Sequence, residues 1–148
     1  MNYIVLFTVV FCVLKNSASS RESLFHRVQA VIFDMDGLLF DTESIYFSVH
    51  SEIIARFNKT YTKSMQWDIS GTNFSTKSLV DSFGLNITPE GYLEEYEKLC
   101  IDKLSTMEFM PGAEKLVKHL YSHKVPIAIA TGNNEKFFDV IPTHYKNF

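Results

Sequence analysis

Cysteine is scarce: Cys12 and Cys100 are the two in 148 residues, too few for a disulfide framework. Cys100 sits at helical spacing from Tyr96 and Leu104. With no histidine or basic residue directly beside it in the chain, it reads as small core filler rather than a reactive thiol. An excess of basic charge is also lacking. Fourteen Lys and Arg face seventeen Asp and Glu, for a net charge of -3. Without a basic cluster, this argues against nucleic acid as a partner. No apolar run approaches the roughly 20 residues that span a bilayer, so no stable membrane span is expected. Internal repeats and low-complexity segments are missing as well. What remains is the composition of a globular chain, 46% hydrophobic and 21% charged, of a length that makes one domain or one domain plus a small insert.

The longest apolar run, Ile4 to Leu14, is followed by Lys15 and the small-residue patch Ser17-Ala18-Ser19-Ser20. Its length suits a signal-peptide core, with residues 1–20 as the leader and cleavage just before Arg21. The segment before the run carries only the α-amino group as positive charge, and an extra core strand is the alternative. Export would make Asn58, Asn73 and Asn86 relevant, since each opens a glycosylation triplet. The lack of a possible disulfide after the leader leans the other way, toward a reducing compartment. Compartment therefore stays open between the secretory pathway and the cytoplasm.

The run Val31-Ile32-Phe33-Asp34-Met35-Asp36-Gly37-Leu38-Leu39-Phe40-Asp41-Thr42 carries the chemistry. A hydrophobic strand delivers two carboxylates, one residue apart, into a glycine turn. Side chains alternate along a strand, so Asp34 and Asp36 share one side at a spacing of about 7 Å while Met35 faces away. Such a pair can divide labour between nucleophile and proton donor. Gly37 permits the sharp turn that leaves both acids at an open strand end.

Beyond that motif, Thr42 can open a helix running to about Asn58, with Ile45, Val49, Ile53 and Phe57 on one stripe and Tyr46 and Ile54 beside it. His50, on the same helix, reads as a surface or interface group. Shorter helices are expected over Lys63 to Ile69 and from about Ser75 to Phe83, the latter stopped by Gly84. Thr88-Pro89-Glu90 is a strong helix start. That helix should reach Leu104 and offer Leu93, Tyr96, Leu99, Cys100 and Leu104 for burial. After Met110-Pro111-Gly112, a helix from Ala113 to His123 should turn Leu116, Val117 and Leu120 inward. A strand over Val125 to Thr131 follows, and Asn133 or Asn134 can begin a last short helix. Two near-continuously apolar strands joined through helices fit an α/β fold with a parallel sheet.

The first motif resembles that of the haloacid dehalogenase superfamily of phosphohydrolases, Asp-x-Asp-Gly-x-x-x-Asp-Thr, with every specified position filled by Asp34, Asp36, Gly37, Asp41 and Thr42. Met110-Pro111-Gly112-Ala113-Glu114-Lys115-Leu116 and Val125 to Thr131 extend the likeness toward the pseudouridine-5′-phosphatase branch and the phosphatases of flavin mononucleotide. Gly132-Asn133-Asn134 departs from the small hydroxyl residues common there. The resemblance implies a partial Rossmann-like parallel-sheet core formed by residues 27–42 and 110–148, with a helical cap inserted at 43–109. It further implies a magnesium-dependent phosphatase that hydrolyses a small phosphomonoester, nucleotide- or sugar-phosphate-like, through an aspartyl-phosphate. Asp34 would be the nucleophile, Asp36 the general acid and base, and Thr131 with Gly132 the phosphate-binding pair. Mg2+ would lie at Asp34 and Asp36, using the carboxylate of the first and the main-chain carbonyl of the second. The third-motif lysine and the acidic fourth motif of the superfamily find no match after Thr131, because neither Lys136 nor Asp139 stands in the right context. A shortened chain is therefore expected, and a non-catalytic binding protein is the alternative function. Phosphoryl transfer of the β-phosphoglucomutase kind, which uses the same two acids, is a further one.

Overall fold

A computed structural model describes residues 29–69, 75–133 and 135–140. The expected leader, the triplet at Asn73, Val28, Asn134 and the tail after Val140 lie outside the described residues. The chain has the expected α/β character. Its described residues divide into two compact units, one formed by 29–41 and 108–133, the other by 42–69, 75–107 and 135–140.

The first unit holds β1 (Val31–Asp34), α1 (Ala113–Ser122) and β2 (Ile127–Ala130). The strands pair in parallel, with Val31 opposite Ile127 and Asp34 opposite Ala130. The Val31 N–H donates to the Pro126 carbonyl at 2.9 Å, so the proline, which can donate nothing itself, still serves the ladder as an acceptor. Val31 and Phe33 are buried and Met35 is almost completely so. Leu39 and Phe40 are buried beside them, and Phe40 stacks on Phe109 with centroids 4.7 Å apart. β2 is shorter than the expected Val125 to Thr131, and Ala128 to Ala130 are exposed. In α1 the inward stripe narrows to Val117, Leu120 is only partly covered, and Leu116 stays 47% exposed. Among the described residues the sheet has two strands, too narrow to cover a three-residue helical stripe.

The second unit is helical. It comprises α2 (Thr42–Ala55), α3 (Lys63–Ile69), α4 (Thr76–Phe83), α5 (Pro89–Leu104) and α6 (Glu135–Asp139). Caps fix the helix ends. Ser75 Oγ accepts from the Ser78 N–H, and Gly84 ends α4 in the left-handed region at φ 57°. Thr88 Oγ1 accepts from the Gly91 N–H at 3.1 Å ahead of Pro89. Helix α5 packs against α2, α4 and α6. Val49, Ile53 and Ile54 of α2 and Tyr92, Cys100 and Leu104 of α5 are buried. Leu93, expected inside, is 44% exposed and Tyr92 takes its place. Positions 92, 96, 100 and 104 repeat every four residues on the buried face, and Leu93 falls one residue, about 100°, away from it.

His50, read as a surface or interface group, is half-buried between elements. Its Nδ1 lies 2.7 Å from the Tyr92 hydroxyl. The ring stacks on Tyr96 at 4.6 Å and tilts against Tyr61 at 5.2 Å. The aromatic residues of α5 and the α2–α3 connection thus cover much of it. Burial pushes the His50 imidazole from 6.5 down to about 4, because charge is costly away from water.

Candidate active site

The site is built at the carboxyl ends of the two strands. Asp34 closes β1, and its register partner Ala130 immediately precedes Thr131. The parallel pairing therefore brings together residues almost a hundred positions apart in the chain. Asp34 is exposed, and its Oδ1 accepts the Met35 N–H at 2.8 Å. That bond orients the carboxylate and leaves Oδ2 outside the contact. Met35 is turned into the core with 1% exposure, the alternation the strand period demands.

Gly37, at φ 67°, lets the chain reverse in a conformation other residues rarely adopt. Its N–H donates to the Phe40 carbonyl at 2.9 Å, while the N–H groups of Leu39 and Phe40 converge on the Met35 carbonyl at 3.1 and 3.2 Å. The loop is thus fastened to itself. Met110 N–H donates to the Leu39 carbonyl at 2.7 Å, which ties the turn to the segment entering α1.

Asp36 is half-buried and held from the second strand. Thr131 Oγ1 donates to Asp36 Oδ2 at 3.2 Å. Asn133 Nδ2 donates to Oδ1 at 3.0 Å and to Oδ2 at 3.2 Å. Thr131 Oγ1 in turn accepts the Asn133 N–H at 3.0 Å, a local turn that sets the amide's direction. Three of the four residues singled out from the sequence, Asp34, Asp36 and Thr131, therefore meet at the paired strand ends. Gly132 is exposed beside them, and a Cβ built there would meet nothing within 4 Å.

Asn133 is the functional candidate that sequence reasoning missed, having been read only as a helix start. Helix α6 begins at Glu135 instead, and the Asn133 side chain turns back to a carboxylate. The usable signal was an amide two positions after the strand-ending threonine, within reach of the first motif once a parallel pair is assumed.

The donors around Asp34 and Asp36 are hard oxygens, the kind Mg2+ selects, and this ion commonly keeps several waters beside one or two carboxylates and a substrate phosphate. The Asp34 carboxylate and the Asp36 main-chain carbonyl fit it in kind. Among the described residues there is no group of three or more His, Cys, Asp or Glu able to hold a metal ion, so water and phosphate oxygens would fill the remaining positions.

Residues 31–146 match the family model described as haloacid dehalogenase-like hydrolase, and the chain belongs to that family. It is 38% identical over 126 residues to (DL)-glycerol-3-phosphatase 1, mitochondrial, of Arabidopsis thaliana, an alignment that covers 82% of this chain and 41% of that protein. A Saccharomyces cerevisiae protein described as "Probable pseudouridine-5'-phosphatase" is 36% identical over 118 residues, covering 75% of this chain and 48% of its own. Among solved structures, a haloacid dehalogenase hydrolase of family IA, variant 3, from Entamoeba histolytica superposes with a TM-score of 0.60. It is 20% identical and covers 82% of this chain and 58% of that one, a likeness of fold. The chain spans about half the length or less of the two named relatives.

Proposed function

We propose that this chain carries phosphoryl-handling residues of a phosphatase for a small phosphorylated metabolite, of the glycerol-phosphate or nucleoside-phosphate kind for which the two relatives above are named, or a sugar phosphate. The observation that carries the reading is the hydrogen-bonded junction of Asp36 with Thr131 and Asn133, directly beside the strand-ending Asp34. The nucleophile is the Asp34 carboxylate. Its Oδ1 is occupied by a backbone N–H, so Oδ2 attacks phosphorus, the phosphorus–oxygen bond to the leaving alkoxide breaks, and an aspartyl-phosphate forms. Asp36 gives its proton to that alkoxide and then takes one from the water that hydrolyses the acyl phosphate. The open main chain at Gly132 donates to the phosphoryl oxygens as charge spreads over them, and the Thr131 hydroxyl joins it once its single proton turns from Asp36 Oδ2 to the substrate. Bound Mg2+, held by the Asp34 carboxylate and the Asp36 carbonyl, would offset the repulsion between an anionic nucleophile and an anionic substrate.

The deciding experiment is phosphate release from glycerol-3-phosphate and a panel of sugar phosphates by the purified chain, with and without Mg2+. Asp34→Asn should lower turnover by roughly a thousandfold or more without changing the far-ultraviolet spectrum, and chelation should arrest the wild type reversibly. A hydroxylamine-labile phosphoenzyme should form in the wild type and be absent from the variant. Turnover retained by Asp34→Asn would remove Asp34 from the reaction.

A further inference from the structure

The carboxyl end of α1 carries a histidine pair that the proposed reaction does not use. His119 lies in the last turn and His123 is the residue that caps it, its N–H donating to the His119 carbonyl, and the two rings lie side by side. Both are exposed, with ring centroids 4.2 Å apart and planes inclined by 40°. Zinc–imidazole bonds are about 2.0–2.1 Å long, so two ring nitrogens on one tetrahedral ion stand roughly 3.4 Å apart. The ring centroids, 4.2 Å apart, already lie close to that spacing.

The hydrogen bonding of one ring suits a metal ligand, although Lys115, Lys118 and Lys124 are neighbours in the chain. His123 Nδ1 lies 2.8 Å from the His119 carbonyl oxygen and 3.1 Å from Ser122 Oγ. A ring that donates from Nδ1 to a carbonyl keeps its lone pair on Nε2, which is how metal-ligating histidines are commonly oriented. The pair also sits at the negative end of the α1 dipole. The adjoining Lys118 is engaged by Glu114 at 2.7 Å.

We propose that His119 and His123 form a two-ligand site for a first-row divalent transition ion such as Zn2+, Ni2+ or Cu2+, with water completing its coordination. Imidazole selects these ions over Mg2+, so the site is chemically distinct from the oxygen donors at Asp34 and Asp36. A bound ion ties down the final turn of α1, just before β2, against which α1 packs and which leads into Thr131.

The test is a calorimetric titration of the full chain with Cu2+ and with Ni2+ in a non-coordinating buffer. It compares the wild type with His119→Gln, with His123→Gln, and with a displaced pair in which His123→Gln is combined with Lys124→His. Loss of either ring should weaken binding on the order of tenfold or more, because the second ligand acts at high effective concentration. The displaced pair keeps the number of histidines but loses the spacing, and should bind like the single variants. Ni2+ should also raise the unfolding midpoint of the wild type and leave that of His119→Gln unmoved. Equal affinity across all four proteins would overturn the proposal, as would a displaced pair that binds like the wild type.

Discussion

Replacing His50 with phenylalanine should flatten the acid dependence of stability. The ring is enclosed by Tyr61, Tyr92 and Tyr96, with Cys100 buried on the same helix face as Tyr96. None of these groups carries negative charge near neutrality: burial holds the Cys100 thiol up at about 11 and the Tyr61 phenol up at about 12, and raises Tyr92 and Tyr96 as well. Nothing adjacent therefore offsets an imidazolium, and the folded ring protonates only near pH 4 against 6.5 when unfolded. Above 6.5 neither state binds the proton and the contribution is constant. Between 6.5 and 4 the unfolded chain binds it and the native chain does not, so stability falls by about 1.4 kcal/mol per pH unit. The full difference is at most about 3 kcal/mol. Because His50 keeps some solvent exposure, we expect about 2 kcal/mol of it between pH 7.5 and 4.5.

The assay is urea unfolding at both pH values for the wild type and His50→Phe, which retains a ring against Tyr96. The variant should be less stable by about 1 kcal/mol at pH 7.5, since Tyr92 loses its hydrogen-bond partner, and the gap should close or reverse at pH 4.5. Taking the difference between the two proteins cancels carboxylates that titrate in both. Glu52 is one of these, held low chiefly by Lys103 and then by Arg56. Parallel stability curves for the two proteins would refute the reasoning.

Asn133→Ala should lower kcat about tenfold with KM changed less than about threefold, because it frees the Asp36 carboxylate without touching substrate. Steady-state kinetics on the best phosphomonoester checks this, and a loss confined to KM would contradict a positioning role. Tyr61→Phe should be neutral or stabilising by up to about 1 kcal/mol in urea unfolding, since the buried Tyr61 hydroxyl has no hydrogen-bond partner among the described residues. A cost above that size would mean the hydroxyl is satisfied in solution. Thr88→Ala should cost about 1 kcal/mol through the lost cap on Gly91, read in the same assay, whereas Thr88→Ser should cost little.

Much of this molecule was legible without coordinates. The Asp34-x-Asp36-Gly37 run, the caps at Gly84 and Thr88 and the parallel pairing of two apolar strands all follow from local chemistry. Backbone periodicity, capping hydroxyls and glycine's tolerance of positive φ act over a few residues, so their signals lie in the sequence itself. The haloacid dehalogenase-like family was legible for the same reason, because its first motif is contiguous. What depended on tertiary structure was which of several apolar or polar residues found a partner. Tyr92 rather than Leu93 faces inward because α5 meets other helices along one face only. His50 is enclosed because α5 and the α2–α3 connection bring three tyrosines to it from distant positions. Asn133 reaches Asp36 because strand register, set by pairing across nearly a hundred residues, places the end of β2 beside the end of β1. Local rules decide which elements form, but a side chain's neighbours, and hence its protonation and its chemistry, are fixed only when those elements pack.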